Sequence, residues 1–195
     1  EAVGLWACPA WPKSDSLQEA VGRDNRAMAT NRRYIMLGLA GTAAAGLGTL
    51  AWHWQSGTPA PRVDYTLLDG KTYSSAQWGG RVMLVNFWAT SCASCVKEMP
   101  ELVATHRKYQ GKGFDTLAVA MQYDPPDYVA QFAQTRQLPF GVAIDNTGAI
   151  AHAFGPVRMT PTTFLIDKQG RIVKQIVGEP DFPALHQLIE KLLAA

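Results

Sequence analysis

Apolar and polar positions change their rhythm several times along the chain. Tyr34 to Trp52 is uncharged and rich in Gly and Ala, and the polar tail His53-Trp54-Gln55-Ser56 follows it. A helix needs about 20 apolar residues to cross a bilayer, and this stretch is just long enough. Residues 55–61 read as a Ser/Gly/Pro linker. From residue 62 the pattern becomes that of a globular domain. Val63–Leu68 and Lys71–Tyr73 flank Asp69-Gly70, a hairpin turn. Gly79-Gly80 leads into an apolar run, Val82 to Trp88, which reads as a buried strand. A helix is expected to start at Cys92, with Val96, Met99, Leu102, Val103 and Tyr109 on its inner face. Pro100 should kink that helix rather than end it, because the periodicity resumes beyond it. Gly111-Lys112-Gly113 stops it, and Phe114–Ala120 is the next buried strand.

Pro125-Pro126-Asp127 opens a second helix, to about Arg136, with Val129, Phe132 and Ala133 inward. A short strand Phe140–Ile144, a turn at Asp145-Asn146 and a small helix Thr147–Phe154 follow. After Met159-Thr160-Pro161 come a strand Thr162–Asp167, the turn Lys168-Gln169-Gly170 and a strand Ile172–Val177. A final helix, Pro183–Leu193, carries Leu185, Leu188, Ile189 and Leu192 at helical spacing. No internal repeat is present. Helices alternating with apolar strands predict an α/β layered domain over residues 62–195.

With 195 residues, 47% of them hydrophobic, the chain can fill one domain of about 100–150 residues and carry an appendage. A net charge of +2, scattered without a basic stripe, argues against nucleic acid as a partner. Residues 1–33 are expected to be disordered or absent from the mature protein, with Met28 as the true start. Arg32 and Arg33 precede the apolar stretch. As a span over residues 34–54 it would keep its N-terminus in the cytoplasm and put the domain outside. Trp52 and Trp54 would then sit at the far interface. TNRRYIM loosely resembles a twin-arginine signal. Ala43-Ala44-Ala45 lies too deep for a cleavage site and Thr58-Pro59-Ala60 matches one poorly. An uncleaved anchor is therefore favoured over a cleaved export signal, and both over a buried soluble helix. The expected location is the bacterial inner membrane, single-pass, with the domain in the periplasm, or the periplasm itself if the signal is cleaved.

Three cysteines are too few for a disulfide framework, so the Cys92/Cys95 pair reads as chemistry. Cys8 is left over. The strand Val82–Trp88 breaks at Ala89-Thr90-Ser91 and delivers Cys92 to a helix start. First-turn N–H groups there lack intrahelical partners, and the dipole adds partial positive charge. A thiolate, the species that attacks disulfides, is favoured at Cys92. Cys95, one turn deeper, is close enough to close a disulfide with it. Such a redox-active Cys92–Cys95 pair needs no cofactor and no metal. A half zinc site is the weaker reading, because no second Cys pair or close His completes it.

The strand-to-CxxC-helix junction and the later Thr-Pro before a strand resemble the thioredoxin fold. NFWAT-x-Cx₂C-x₂-E-x-P (Asn86 to Pro100), MTPTTFLID (Met159 to Asp167) and KQGRIVKQIVG (Lys168 to Gly178) are similar to the TlpA/ResA branch of membrane-anchored extracytoplasmic thioredoxin-like proteins. That branch includes cytochrome c maturation reductases. The resemblance implies a central mixed sheet flanked by helices, here with an N-terminal hairpin extension. It implies Cys92 as attacking thiolate, Cys95 as resolving thiol, and Pro161 as a cis-proline facing the pair. Thr160 would offer a backbone edge to the substrate chain. Glu98, three residues after Cys95 and on the same helix face, would accept the Cys95 proton. In an apolar surround its pKa is expected to be raised. Its bland alternative is a solvated residue, or one paired with Lys97 or Arg107. Trp88 is expected to pack beneath the dithiol, and His106, His152 and His186 to be surface or satisfied histidines.

Two positions depart from the family pattern. Ser91 stands where Trp is usual before the first cysteine. Asn86 stands where thioredoxin has a buried acid, and as it cannot titrate, proton transfer falls to Glu98. The function implied is an extracytoplasmic thiol:disulfide oxidoreductase that reduces client disulfides. Apocytochrome c and copper-site assembly proteins are candidate clients, and a membrane electron donor would re-reduce the pair. A thiol peroxidase is disfavoured because Thr90-Ser91 leads into a CxxC. A copper-binding assembly factor is disfavoured by the two-residue gap, with His152 a weak distal ligand.

Overall fold

In the computed structural model, which describes residues 57–155 and 157–195, the apolar run Val82–Trp88 lies inside a six-stranded sheet with all seven residues buried. Both faces of that strand are covered, which is why its sequence shows no polar alternation. In chain order the elements are β1 (Thr58–Pro59), β2 (Asp64–Thr66), β3 (Thr72–Ser74), β4 (Val82–Trp88), α1 (Ala93–Tyr109), β5 (Phe114–Ala120) and α2 (Pro126–Thr135). They continue as β6 (Gly141–Ile144), α3 (Ala149–Ala153), β7 (Thr162–Ile166), β8 (Arg171–Val177) and α4 (Phe182–Ala194). The sheet order is β1-β8-β7-β4-β5-β6. β4, β5 and β6 are parallel, whereas β7, β8 and β1 join antiparallel. This is the thioredoxin-like mixed sheet that the resemblance implied. The expected anchor over 34–54, the 1–33 segment and Cys8 lie outside the described residues. Among the described residues no helix is long and apolar enough to cross a membrane.

Period-two alternation along β4 divides the core. Val82, Leu84 and Trp88 pack with Cys95, Met99 and Leu102 of α1, Val129 of α2, and Leu185 and Ile189 of α4. Met83, Val85 and Phe87 pack on the other face with Ile150 and Ala151 of α3 and Phe164 of β7. Asn86 belongs to the first set by parity, so its amide points at α1 instead of at solvent. The β2–β3 hairpin closes through Gly70 (φ 82°), a backbone angle that suits glycine. It caps the second face, where Tyr65 accepts a hydrogen bond from Trp78 Nε1 at 2.9 Å.

Some boundaries differ from expectation. Thr58–Pro59, in the stretch expected as linker, pairs with Ile172 and Arg171 as an edge strand. It is two residues long and contains Pro, so nothing in the local pattern announced it. The small helix is five residues, Ala149–Ala153, starting after Gly148 in the left-handed region at φ 73°. Val96 and Val103, expected on the inner face of the first helix, are only half-buried. That helix runs on through Pro100.

β4 and β5 end side by side, tied by a 3.0 Å hydrogen bond from Met121 N–H to the Trp88 carbonyl. β7, antiparallel to β4, begins at the same edge. The loops carrying Cys92, Asp124 and Pro161 therefore meet beyond the carboxyl ends of the parallel strands, where open α/β sheets place their sites.

Candidate active site

Cys92 is the N-cap of α1, in extended backbone, and its sulfur accepts from Cys95 N–H at 3.3 Å. The N-cap place gives that sulfur an orphan amide and the positive end of the helix dipole. The two cysteines form a disulfide, with Cα atoms 5.3 Å apart. Exposure separates their roles. Cys92 is half-buried, while Cys95 is 0% exposed among Trp88, Met99 and Leu102. Only Cys92 can meet an incoming sulfur atom. Ser94 Oγ lies 3.3 Å from Cys92 Sγ.

Thr160–Pro161 is a cis peptide bond, and the Thr160 carbonyl oxygen sits 3.5 Å from Cys92 Sγ. The Pro161 carbonyl accepts from Gly178 N–H at 2.8 Å, which ties the loop to β8. Beside it, Tyr123 is largely exposed, with its hydroxyl 3.4 Å from Thr160 Oγ1, and Met159 is 62% exposed. Thr160 and Pro161 are thus placed against Cys92, as the resemblance implied.

Glu98 is neither solvated nor paired with Lys97 or Arg107. It is 1% exposed, and its Oε1 accepts from Asn86 Nδ2 at 3.0 Å. Asn86 Nδ2 also donates to Thr163 Oγ1 at 3.0 Å, and Lys97 pairs with Glu179 instead. Glu98 Oε2 and Asn86 Oδ1 are buried with no partner among the described residues. Burial pushes the Glu98 carboxyl up to about 7; the Asn86 hydrogen bond opposes this and the Glu179 charge adds to it. The group therefore changes charge near neutral pH, on the helix that carries both cysteines.

Trp88 is fully buried, with its ring 5.0 Å from that of Phe132 and its Nε1 without a partner among the described residues. It packs in the cluster that holds Cys95. His106 is buried, with Nδ1 3.2 Å from Thr116 Oγ1, and His186 Nε2 lies 2.9 Å from Thr105 Oγ1, so both are satisfied. His152 is exposed at the end of α3. Among the described residues, no group of three His, Cys, Asp or Glu side chains converges as metal ligands would.

Asp124 was legible from the sequence only as a residue closing a strand on the side where loops line the site; its role was not. Asp124 is 2% exposed and grips Thr90 with both oxygens, accepting its N–H at 2.6 Å and its hydroxyl at 2.5 Å. It braces the loop that delivers Cys92 to the helix start. The available signal was weak: an acid at a strand end, just before a Pro pair.

This chain matches the Redoxin family over residues 55–189. It is similar to the thiol-disulfide oxidoreductase ResA of Bacillus thuringiensis subsp. konkukian, with 34% identity over 160 residues, covering 81% of this chain and 91% of the relative. ResA of Bacillus anthracis is 37% identical over 139 residues, 71% of this chain and 79% of the relative. Among solved structures, a Neisseria meningitidis protein described as a thioredoxin has a TM-score of 0.66 at 43% identity, covering 70% of this chain and 91% of that one. A Chlorobium tepidum protein described as a thiol:disulfide interchange protein DsbE gives 0.63 at 32% identity, covering 71% and 97%.

Proposed function

The chain belongs to the Redoxin family and is a thiol:disulfide oxidoreductase, and on that premise we propose that it works outside the cytoplasm as a tethered reductase of protein disulfides. The observation that carries this is the asymmetry of the pair: an accessible Cys92 on a helix N-terminus, above a sealed Cys95 on the helix of a buried carboxyl poised near neutrality. In the reduced enzyme the Cys92 thiolate attacks a client disulfide, forms a mixed disulfide and expels one client thiolate. The Glu98 carboxylate takes the proton from the Cys95 thiol. The Cys95 thiolate then attacks Cys92 sulfur and breaks the mixed disulfide. The second client thiolate leaves, so two electrons pass from dithiol to client; the two client thiolates take up one proton from Glu98 and one from solvent, the latter replacing the proton lost when Cys92 ionised. Thr160 and Pro161 hold the backbone edge along which the client chain lies, and Trp88 fills the space beneath the pair.

Support for the location comes from Arg32 and Arg33 ahead of the uncharged stretch, which favour an anchor with the domain in the periplasm. Disulfides persist in that compartment. The pair there must be re-reduced by a membrane donor carrying electrons from the cytoplasm. Apocytochrome c and copper-site assembly proteins, whose cysteines must be reduced before they bind their groups, are the client classes that fit. Equilibration of the full chain against thiol buffers tests the direction. A reductase requires a potential of about −230 mV or lower, within the range of reducing thioredoxin-fold proteins. A value near −120 mV, that of a strong oxidant, would reverse the proposed direction.

A further inference from the structure

Beside Ser91, next in chain to Cys92, a groove of about 520 Å³ opens along α2. It continues into a second stretch of about 320 Å³ between α1 and α2, and the two share Phe132 and Arg136. The wall on α2 has helical spacing. Tyr128, Phe132 and Arg136 follow at i, i+4 and i+8, with Gln131 and Thr135 between them on the same face. Eight residues at 1.5 Å make this stripe about 12 Å long, the reach of about four extended residues. The facing wall on α1 is Val96, Pro100 and Val103, ending at Arg107. The groove thus begins at Ser91, the chain neighbour of Cys92, and finishes at two guanidinium groups. Tyr128 is 62% exposed, and Arg136 lies over the Phe132 ring at 5.6 Å, which leaves its N–H fork for a ligand. Among the described residues neither Arg107 nor Arg136 has an ion-pair partner. Val129, one residue off the stripe, is fully buried and Phe132 packs its ring 5.0 Å from that of Trp88, so these two hold α2 to the core while Tyr128 and Arg136 stay open along the groove.

We propose that this groove is a client-binding subsite that takes the extended chain flanking the attacked cysteine, apolar in its first residues and carrying a carboxylate about four residues out. The inference rests on the reading that Cys92 attacks polypeptide disulfides, and it adds which polypeptides. The apolar residues cover Tyr128, Phe132 and Val103. The carboxylate lies between Arg136 and Arg107, where its charge is matched and the planar guanidinium fork fits it. Aromatic and Arg side chains of this kind carry most of the energy of polypeptide interfaces. Selection here acts on KM and on encounter, whereas the exchange chemistry stays with the cysteines.

Two synthetic peptides test this, with the same disulfide loop and four-residue tails of Leu, Val and Ala that end in Glu in one and Lys in the other. Hydroxyethyl disulfide, too small to reach along the groove, reports the chemistry alone. With the full-length protein at low salt, the Glu peptide should be reduced with a kcat/KM about fivefold above that of the Lys peptide, the scale of one well-placed ion pair. The ratio should shrink with added salt. The Arg107→Glu/Arg136→Glu double variant should invert the order, and Ser91→Trp, which fills the mouth of the groove, should bring the ratio towards one. Equal kcat/KM for the two peptides, or an order that survives the double charge reversal, would overturn the subsite. If the two peptides and the small disulfide were all left oxidised, the reductase reading itself would fail.

Discussion

Replacing Glu98 by Gln isolates the step in which Cys95 resolves the mixed disulfide. Gln keeps the shape and the acceptor that Asn86 Nδ2 uses at 3.0 Å, so the local packing survives. What disappears is a carboxylate with a pKa of about 7 on the helix of the sealed Cys95. In the parent enzyme about half of the molecules at pH 7 carry that base ready to take the thiol proton, against about a tenth at pH 6 and nine tenths at pH 8. Resolution should therefore rise about ninefold from pH 6 to 8 and then level off. In the variant the Cys95 proton must go to solvent. A positioned general base contributes roughly 100-fold or more, so resolution should slow by about that factor at pH 7. The pH dependence should change as well, losing the rise and levelling that Glu98 sets around pH 7. Single-turnover mixing of reduced enzyme with a disulfide peptide, quenched in acid and followed by mass spectrometry, resolves the mixed disulfide on Cys92 and its decay. The adduct should accumulate in Glu98→Gln and not in the parent. An unchanged decay rate with an unchanged pH profile would refute the proton-transfer role.

The same substitution should alter stability with the opposite benefit. A carboxyl whose folded pKa is raised from 4.5 to about 7 stabilises the fold below its unfolded pKa and loses that contribution as pH rises through 7. Glu98→Gln should therefore be more stable than the parent at pH 8, by up to about 3 kcal/mol, with the gap closing towards pH 4.5; urea titrations at both pH values read it. Asn86→Asp would set a second carboxyl against Glu98, and like charges sharing a buried site push one pKa up. The pH profile of resolution should then move above 7, and a profile left at 7 would show that the two groups do not interact. Asp124→Ala strips Thr90 of both acceptors and should cost about 3 kcal/mol of stability, as expected for buried hydrogen bonds to a charged group. A loss below about 0.5 kcal/mol would mean that the loop has no need of the brace.

How much of this was written locally in the chain depends on the range of each interaction. β4 was legible because burial on both faces leaves six apolar residues out of seven, broken only by Asn86. The Cys92 site was legible because N-cap chemistry is a property of adjacent residues. Glu98 was half legible: spacing put it on the face of Cys95, but its burial depends on Asn86 and Thr163, which come from two other strands. The Asp124–Thr90 brace joins residues 34 positions apart through two strand ends, and no periodicity marks such a pair. Ser91 was readable as a missing large residue at the dithiol. That a groove opens there, walled by Tyr128, Phe132 and Val103, depends on how α1 and α2 pack. Val96 and Val103 fit the inner helical face by spacing and still look into that groove, since the stripe on α1 is wider than the core beneath it.

The central claim is that one sulfur, Cys92, makes contact with the client. It is tested most directly by mixing reduced Cys95→Ser and Cys92→Ser full-length proteins, separately, with a disulfide-bonded peptide and mapping any covalent adduct by mass spectrometry. The account predicts a long-lived mixed disulfide on Cys92 in the first protein and none on Cys95 in the second, because Cys95 is 0% exposed. An adduct forming on Cys95 as fast as on Cys92, or none on Cys92, would contradict it.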